Sequence, residues 1–149
     1  MSVGEFCNRE VVIARRDESA LQGARLMRHH HVGDLIVVDQ RDGRRVPVGI
    51  LTDRDLVMEV LAEDLDGEVV SIGDIMQTDL LLANEDQELM DTVKQMHDRG
   101  VRRVPVVDHQ GELQGVLALD DVVELVAEQL TDLVKLIGRE QQQESRRRN

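Results

Sequence analysis

A threonine and an aspartate three positions apart, Thr52 and Asp55, have the side chains and spacing in this 149-residue chain that best suit ligand chemistry. Before them, residues 49–51 place a glycine ahead of two branched apolar residues, which predicts the end of a strand. After them, apolar residues recur at helical spacing over residues 56–61. Backbone N–H groups at a helix start attract phosphate, and a carboxylate accepts hydrogen bonds from a sugar diol. The junction therefore predicts a site for a polar, partly anionic ligand.

A purely structural role is the alternative for Asp55, because the helix dipole favours a carboxylate in the first turn. We favour the ligand interpretation because Thr52 accompanies Asp55 and because a related junction recurs at residues 115–122. There Asp121 retains the carboxylate, but Asp120 beside it could serve as the cap instead. Both interpretations of Asp121 therefore remain open.

An internal repeat organises the whole chain. A shift of 69 residues places residues 2–39 on residues 71–108, so that Val37-Val38-Asp39 falls on Val106-Val107-Asp108. Three extra residues in the turn after position 39 reduce the shift to 66, and Gly49 then falls on Gly115. We predict a first repeat over residues 1–68, a second over residues 69–138 and a polar tail over residues 139–149.

Each repeat has the pattern β-α-β-β-α, which predicts an α/β fold of the α+β type with small sheets covered by helices. Asp17 and Asp86 are predicted N-caps of the first helix of each repeat. The predicted strands are 11–14, 35–38 and 46–51 in the first repeat, and 80–83, 104–107 and 114–118 in the second.

The last helix is predicted to start near Asp121 and to be longer than its counterpart in the first repeat. Its apolar positions beyond Leu130 need a covering surface, either the first repeat or a second subunit. From Arg139 onward the composition turns to Gln, Glu and Arg, and we expect this tail to fray.

The composition excludes several classes of protein. A formal charge of −12 disfavours nucleic acid as a partner, because phosphate backbones need an excess of Lys and Arg. No apolar run approaches the roughly 20 residues that cross a bilayer, and no signal peptide is recognisable. A single cysteine excludes an intramolecular disulfide. We therefore expect a cytoplasmic protein without a membrane segment.

Catalytic and metal-binding patterns are weak in this sequence. Cys7 has no recognisable base near it, and we interpret it as a small packing residue. The run His29-His30-His31 cannot converge on one ion, because consecutive helical residues point about 100° apart. With no nucleophile–base pair and no glycine-rich phosphate loop, we predict no catalytic residues, no metal site and no enzymatic activity.

The doubled pattern resembles a stand-alone tandem pair of CBS domains, the cystathionine-β-synthase-type module. The likeness is carried by residues 49–55 (Gly-Ile-Leu-Thr-Asp-Arg-Asp), residues 74–76 (Asp-Ile-Met) and residues 100–108 (Gly-Val-Arg-Arg-Val-Pro-Val-Val-Asp). It covers residues 2–130 and occurs twice. No catalytic domain is left over.

The resemblance implies a homodimeric sensor that binds AMP, ADP, ATP, NAD(H) or S-adenosylmethionine as a regulatory ligand in clefts between the repeats. Thr52 and Asp55 match the full Thr/Ser-x-x-Asp ribose motif, whereas the second repeat keeps Asp121 but has Ala118 in place of the hydroxyl. Other positions that match the family's site are Arg102 and Arg103 for phosphate, Val12 and Leu81 beside the adenine, and Arg54 and Pro105 within the motifs.

At the positions of Arg102 and Arg103 the first repeat has Gly33 and Asp34, so the resemblance implies that the two repeats differ in their affinity for phosphate. Alternate strand residues face opposite ways, so we expect at most one of the two arginines to point into a given cleft. Two hypotheses follow: a regulatory nucleotide-binding module that signals to an unknown protein, or an interaction subunit with degenerate, empty clefts.

Overall fold

A computed structural model describes residues 1–148. The chain forms two compact units, the first comprising Met1–Leu117 and the second beginning at Ala118. In chain order the elements are α1 (Val3–Phe6), β1 (Ile13–Ala14), α2 (Ala20–His30), β2 (Asp34–Arg41), β3 (Arg44–Thr52), α3 (Asp53–Leu56), α4 (Ile72–Ile75), β4 (Ala83–Asn84), α5 (Leu89–Arg99), β5 (Arg103–Val107), β6 (Leu113–Ala118) and α6 (Leu119–Arg148).

Two three-stranded sheets, ordered β1-β2-β3 and β4-β5-β6, confirm the predicted mixed fold and the doubled element order. In each sheet the first two strands are parallel, with Ile13 opposite Ile36 and Ala83 opposite Val106. In the first sheet β2 and β3 pair antiparallel, and Asp34 lies opposite Thr52. β2 therefore begins beside the residue at which β3 ends.

The strands β1 and β4 are shorter than predicted, with two residues each instead of four. The residues ahead of them use their apolar side chains to bridge the repeats. Val11 and Leu80 pack against a cluster formed by Ile36, Ile50 and Leu113 together with other buried residues. Their apolar character thus reflects packing between the two sheets as well as strand formation.

The short helices α1 and α4 are exchanged between the repeats. The backbone N–H of Val3 in α1 donates to the carbonyl of Gln87 at 2.8 Å, and that of Ile72 in α4 donates to the carbonyl of Glu18 at 2.8 Å. Ile72 is fully buried in the first-repeat core with Leu35 and Leu51. The core of the first repeat is therefore completed by a residue of the second.

The predicted N-caps Asp17 and Asp86 are wrong. The N-cap of α2 is Ser19, whose hydroxyl accepts from the Gln22 N–H at 3.1 Å. The N-cap of α5 is Glu88, whose carboxylate accepts a hydrogen bond from the backbone N–H of Asp91 at 2.8 Å. Both helices begin later than predicted, because the residues after β1 and β4 first form a turn.

The helix predicted after Asp55 is present and widens after its first turn. α3 continues directly into a π-helical turn, Val57–Leu61. The N–H of Ala62 bonds to the carbonyl of Val57 at 2.8 Å, and that of Leu65 bonds to Val60 at 3.0 Å. Both bonds span five residues, the spacing that defines a π-helix.

The second unit consists almost entirely of α6, a 30-residue helix. It starts at Leu119, two residues before the predicted position, and it continues to Arg148. We predicted that residues 139–149 fray, whereas residues 139–148 continue the helix. Asn149 lies outside the described residues. Gln, Glu and Arg are good helix formers, and the ion pair between Glu144 and Arg148 at 2.7 Å has the favourable i,i+4 spacing.

Candidate functional site

Thr52 and Asp55 form a reciprocal capping arrangement at the start of α3. The Thr52 hydroxyl accepts from the backbone N–H of Asp55 at 3.1 Å, and the Asp55 Oδ2 accepts from the backbone N–H of Thr52 at 2.9 Å. Thr52 is the last residue of β3 and the N-cap of α3. The junction thus has the predicted place, and its two side chains have a structural task that satisfies free N–H groups of the helix start.

Gln77 is a third member of this junction, and the sequence interpretation missed it. Its amide nitrogen lies 3.1 Å from Asp55 Oδ1 and 3.3 Å from Asp55 Oδ2. Two backbone hydrogen bonds with Ile50, at 3.0 and 2.9 Å, hold the segment that carries it against β3. The 69-residue shift places Asn8 on Gln77, and Asn8 likewise bonds with Val116 of β6. The repeat thus relates the positions of Asn8 and Gln77, but it gives no signal for the contact of Gln77 with Asp55.

The Asp55 carboxylate retains acceptor capacity in this arrangement. An ionised carboxylate offers about four lone-pair sites. In the hydrogen bonds described above, Oδ2 accepts from the backbone of Thr52 and from the amide of Gln77. Oδ1 accepts from the amide of Gln77 alone. A ligand hydroxyl can therefore be accepted at Oδ1, either beside Gln77 or after displacing it.

An ion pair between the two repeats lies next to the junction. Arg103 Nε is 3.0 Å from Asp34 Oδ1, with side-chain exposures of 38% and 14%. These residues open β5 and β2 and occupy equivalent positions under the 69-residue shift. Because Asp34 lies opposite Thr52, the ion pair involves the strand position next to the predicted ribose motif. The basic residue of one repeat is thus met by the acidic residue at the equivalent position of the other.

Burial dominates the electrostatics of Asp34. Desolvation raises the pKa of its carboxyl above the ordinary value, the Arg103 guanidinium opposes this shift, and the neighbouring Asp53 carboxylate adds to it. The Asp53 N–H donates to the Gly33 carbonyl at 2.9 Å. A Cβ at Gly33 would lie 3.2 Å from Asp53 Oδ2, so the glycine leaves room for this carboxylate. The junction therefore gathers three carboxylates, those of residues 34, 53 and 55.

The remaining predicted site residues have varied surroundings. Val12 is half-buried and packs on the first-repeat core, and Leu81 is half-buried just ahead of β4. Pro105 is buried within β5, whereas Arg54 and Arg102 are exposed. Arg103 contacts Asp34, which lies opposite Thr52 in the first sheet. Asp121 is exposed in the second unit, and its role as a second site stays a prediction.

The described part of the chain has no group of three His, Cys, Asp or Glu side chains arranged to hold a metal ion. No helix within residues 1–148 combines the length and apolar character that a bilayer crossing needs. The pKa of the Cys7 thiol is raised, chiefly by burial. Burial of this kind is typical of a packing cysteine and disfavours the thiolate that a nucleophile needs.

Comparison with known proteins identifies the architecture. A model of the CBS domain matches residues 3–62 and 72–128. This chain belongs to the CBS domain family. The predicted tandem CBS pair is thereby confirmed, and its two matches include both junctions at which a strand meets a helix.

Relatives of this CBS pair include proteins from archaea and bacteria. The uncharacterized protein MK0525 of Methanopyrus kandleri is 36% identical over 125 residues, which are 84% of this chain and 62% of that protein. This chain therefore spans less than two thirds of the length of MK0525. The CBS domain-containing protein YhcV of Bacillus subtilis is 33% identical over 121 residues, which are 81% of this chain and 82% of YhcV.

Among solved structures, the CBS domain pair of protein MJ0100 in complex with 5'-methylthioadenosine and S-adenosyl-L-methionine matches with a TM-score of 0.74. The match covers 87% of this chain and 98% of the MJ0100 chain at 23% identity. At this identity the similarity shows that the two proteins share a fold.

Proposed function

We propose that this CBS pair is a regulatory module that binds an adenosine-containing ligand at the Thr52–Asp55 junction and signals its occupancy to another protein. The observation that carries the proposal is the Asp55 carboxylate, which is held at a helix start with one oxygen available to ribose hydroxyls. The MJ0100 pair, which has the same fold, holds 5'-methylthioadenosine and S-adenosylmethionine in its structure. Adenosine compounds are therefore the ligand class to test first.

The charges at the junction favour ligands with few phosphates. Arg103 already faces Asp34 at 3.0 Å, and Asp53 and Asp55 add two further carboxylates. A triphosphate would have to displace Asp34 from Arg103 and approach these like charges. Among AMP, ADP, ATP, NAD(H) and S-adenosylmethionine, we therefore expect tighter binding of the monophosphate or the sulfonium compound than of ATP.

Gln77 couples ligand binding at Asp55 to a change in the arrangement of the two repeats. It ties Asp55 of the first repeat to the segment that leads into the second repeat. A ribose that takes over the Asp55 acceptor sites releases Gln77, and this changes the balance between arrangements of the two repeats. A ligand shifts such a balance only by its differential affinity for the two arrangements. The protein that reads the shift is unknown.

We also propose that the pair works as a homodimer. An apolar groove between α2 and the π-helical turn is lined by Leu21, Leu56 and Leu65, among other residues. Val57 and Leu61, which also line this groove, are 52% and 75% exposed. Apolar side chains grouped in this way are typical of an interaction surface. A catalytic role is not part of the proposal, and a cytoplasmic location stays a prediction.

A second candidate function is an interaction subunit with empty clefts. It is favoured by the same contacts, because Asp55 already has Gln77 and Arg103 already has Asp34 as intramolecular partners. Ala118 has no hydroxyl with which to repeat the Thr52 contact. In this case no adenosine compound would bind better than millimolar.

A thermal-shift panel with AMP, ADP, ATP, NAD, NADH and S-adenosylmethionine separates the two functions. A ligand that binds only the folded state stabilises it by about 2.7 kcal/mol at a hundred times its Kd. No shift with any compound at millimolar concentration would favour the interaction subunit.

Calorimetry on Asp55→Ala then tests the site with the compound that shifts the melting temperature. We expect weaker binding by a protein that remains folded, because the ribose acceptor is lost. Glu59→Ala is the matched control, since it removes an exposed carboxylate one turn further along the same helical segment. Equal affinity in the Asp55 variant would remove the site assignment.

A further inference from the structure

The second unit carries a row of exposed apolar side chains along α6. Val123, Val126, Leu130, Leu133 and Ile137 are 59%, 48%, 61%, 58% and 55% exposed. We call these five residues the α6 seam. Their spacings alternate between three and four residues, the heptad pattern by which two helices pack side by side. A helix that exposes such a row needs a partner helix.

The apolar surface is wider than the α6 seam alone. Val134 and Leu136, which flank it, are each 61% exposed. The outward face carries polar residues, among them Glu128, Lys135 and Gln142, which lie seven residues apart. Continuous exposed apolar surface of this kind marks an interaction site in soluble proteins. The division into one apolar and one polar face fits a two-helix pairing.

The charge on α6 is unevenly distributed along its length. Residues 119–134 contain five acidic residues and no Lys or Arg, whereas residues 135–148 contain five basic residues and two acidic ones. A parallel pair of these helices would place acidic half against acidic half. An antiparallel pair centred near Leu130 places residues 119–125, with three acidic residues and no basic one, against residues 135–141, with two basic residues and one acidic one. It also opposes the helix dipoles. The chain is therefore complementary to an inverted copy of its own helix.

We propose that α6 pairs antiparallel with α6 of a second copy of this chain through the α6 seam, centred near Leu130. This inference does not rest on ligand binding. It assigns the exposed face of α6 to a second copy, as a contact separate from the one proposed for the groove between α2 and the π-helical turn. Opposite charges near the two ends of the seam then select the orientation.

Distances between spin labels test the orientation of the two helices. In a Cys7→Ser background, the labels are attached to Glu128→Cys or to Gln142→Cys. Both positions are exposed and lie on the outward face two heptads apart. In a parallel pair the two labels give equal distances between copies. In the antiparallel pair the Glu128 label gives a short distance, while the Gln142 label is displaced by roughly 36 Å along the axis, from the 1.5 Å rise per residue. Equal distances overturn the proposal.

Substitutions within α6 test whether the seam itself makes the contact. Leu130→Glu places a charge at the centre of the seam, and we expect it to abolish the short Glu128-label distance. Thr131→Glu adds the same charge at the next position, outside the seam, and should preserve it. A short distance that survives Leu130→Glu, or no short distance in the parent protein, shows that α6 does not pair in this way.

Discussion

The two repeats share an element order and differ at the two places that meet at the candidate site. The first repeat ends β3 with Thr52, which caps the following helix and is bonded in return by Asp55. The second ends β6 with Ala118, which has no hydroxyl for this exchange. The first opens β2 with Asp34, and the second opens β5 with Arg103.

The difference between the repeats is complementary. Asp34 and Arg103, which the repeat relates to one another, form an ion pair. Gln77, which leads into the second repeat, bonds to Asp55 of the first. Residues from both repeats therefore build one junction, and neither repeat can supply it alone. Equivalent positions of the two repeats are thus partners in one ion pair.

The exchange of α1 and α4 gives the largest expected effect. Ile72 and Val3 are equivalent and both fully buried, and Ile72 completes the core of the first repeat. Ile72→Ala should lower the free energy of unfolding by about 2–5 kcal/mol, and Val3→Ala by less, because a valine loses fewer buried atoms. Urea unfolding measures both.

Both variants should unfold in one transition if each repeat depends on the helix of the other. Two separate transitions, or an Ile72→Ala variant as stable as the parent, would show that the repeats are independent of this exchange.

The reciprocal cap of Thr52 and Asp55 predicts a smaller effect on stability, of opposite sign at the two junctions. Thr52→Ala should destabilise the protein by about 1 kcal/mol, because the Asp55 N–H loses its acceptor. Ala118→Thr should stabilise it by a comparable or smaller amount, since Asp121 has the spacing of a capping partner. Urea unfolding at constant pH gives both differences.

Thr52→Ser retains the hydroxyl and is the control for the capping exchange. If Thr52→Ala and Ala118→Thr both leave the urea midpoint unchanged, the cap contributes no measurable stability. The two junctions then do not differ in energy.

Much of this architecture followed from the sequence because the repeat shows every element twice. The repeat and the strand-to-helix junctions were predictable from local spacing and side-chain type, and the CBS family was indicated by the resemblance of residues 49–55, 74–76 and 100–108 to its motifs. The N-caps at Asp17 and Asp86 were wrong because turn geometry decides where a helix begins, and Ser19 and Glu88 carry the side-chain oxygens that accept from the first turns.

The contacts between repeats could not be predicted in the same way. Gln77 and Asp34 have no local pattern that names their partners, because Asp55 and Arg103 reach them through the exchange of segments between repeats. The repeat in the sequence shows that positions 34 and 103 are equivalent. It does not show that they form an ion pair, because that contact depends on the tertiary structure. Likewise, the predicted phosphate role of Arg103 took no account of the carboxylate that meets it.

The smallest expected effect compares two aspartates of β2 that both pair with arginine. Asp39 accepts from Arg16 at 2.9 and 2.6 Å, and these bonds hold the pKa of its carboxyl below the ordinary 3.8. Asp34 is mostly buried and lies 3.0 Å from Arg103, and desolvation raises the pKa of its carboxyl above 3.8. Carboxyl NMR titration should therefore show shifts in opposite directions.

These opposite shifts give opposite pH dependences of stability. The folded state binds the Asp34 proton more tightly than the unfolded state, so its contribution is present below pH 3.8 and is lost as pH rises through the folded pKa. The Asp39 contribution is present above pH 3.8 and is lost as pH falls through its lowered folded pKa. Comparing Asp34→Asn and Asp39→Asn with the parent protein across this range should give slopes of opposite sign. Slopes of the same sign would mean that Arg103 outweighs burial at Asp34 and lowers the pKa of its carboxyl, as Arg16 does at Asp39. Arg103 would then be less available to phosphate than a raised pKa of Asp34 implies.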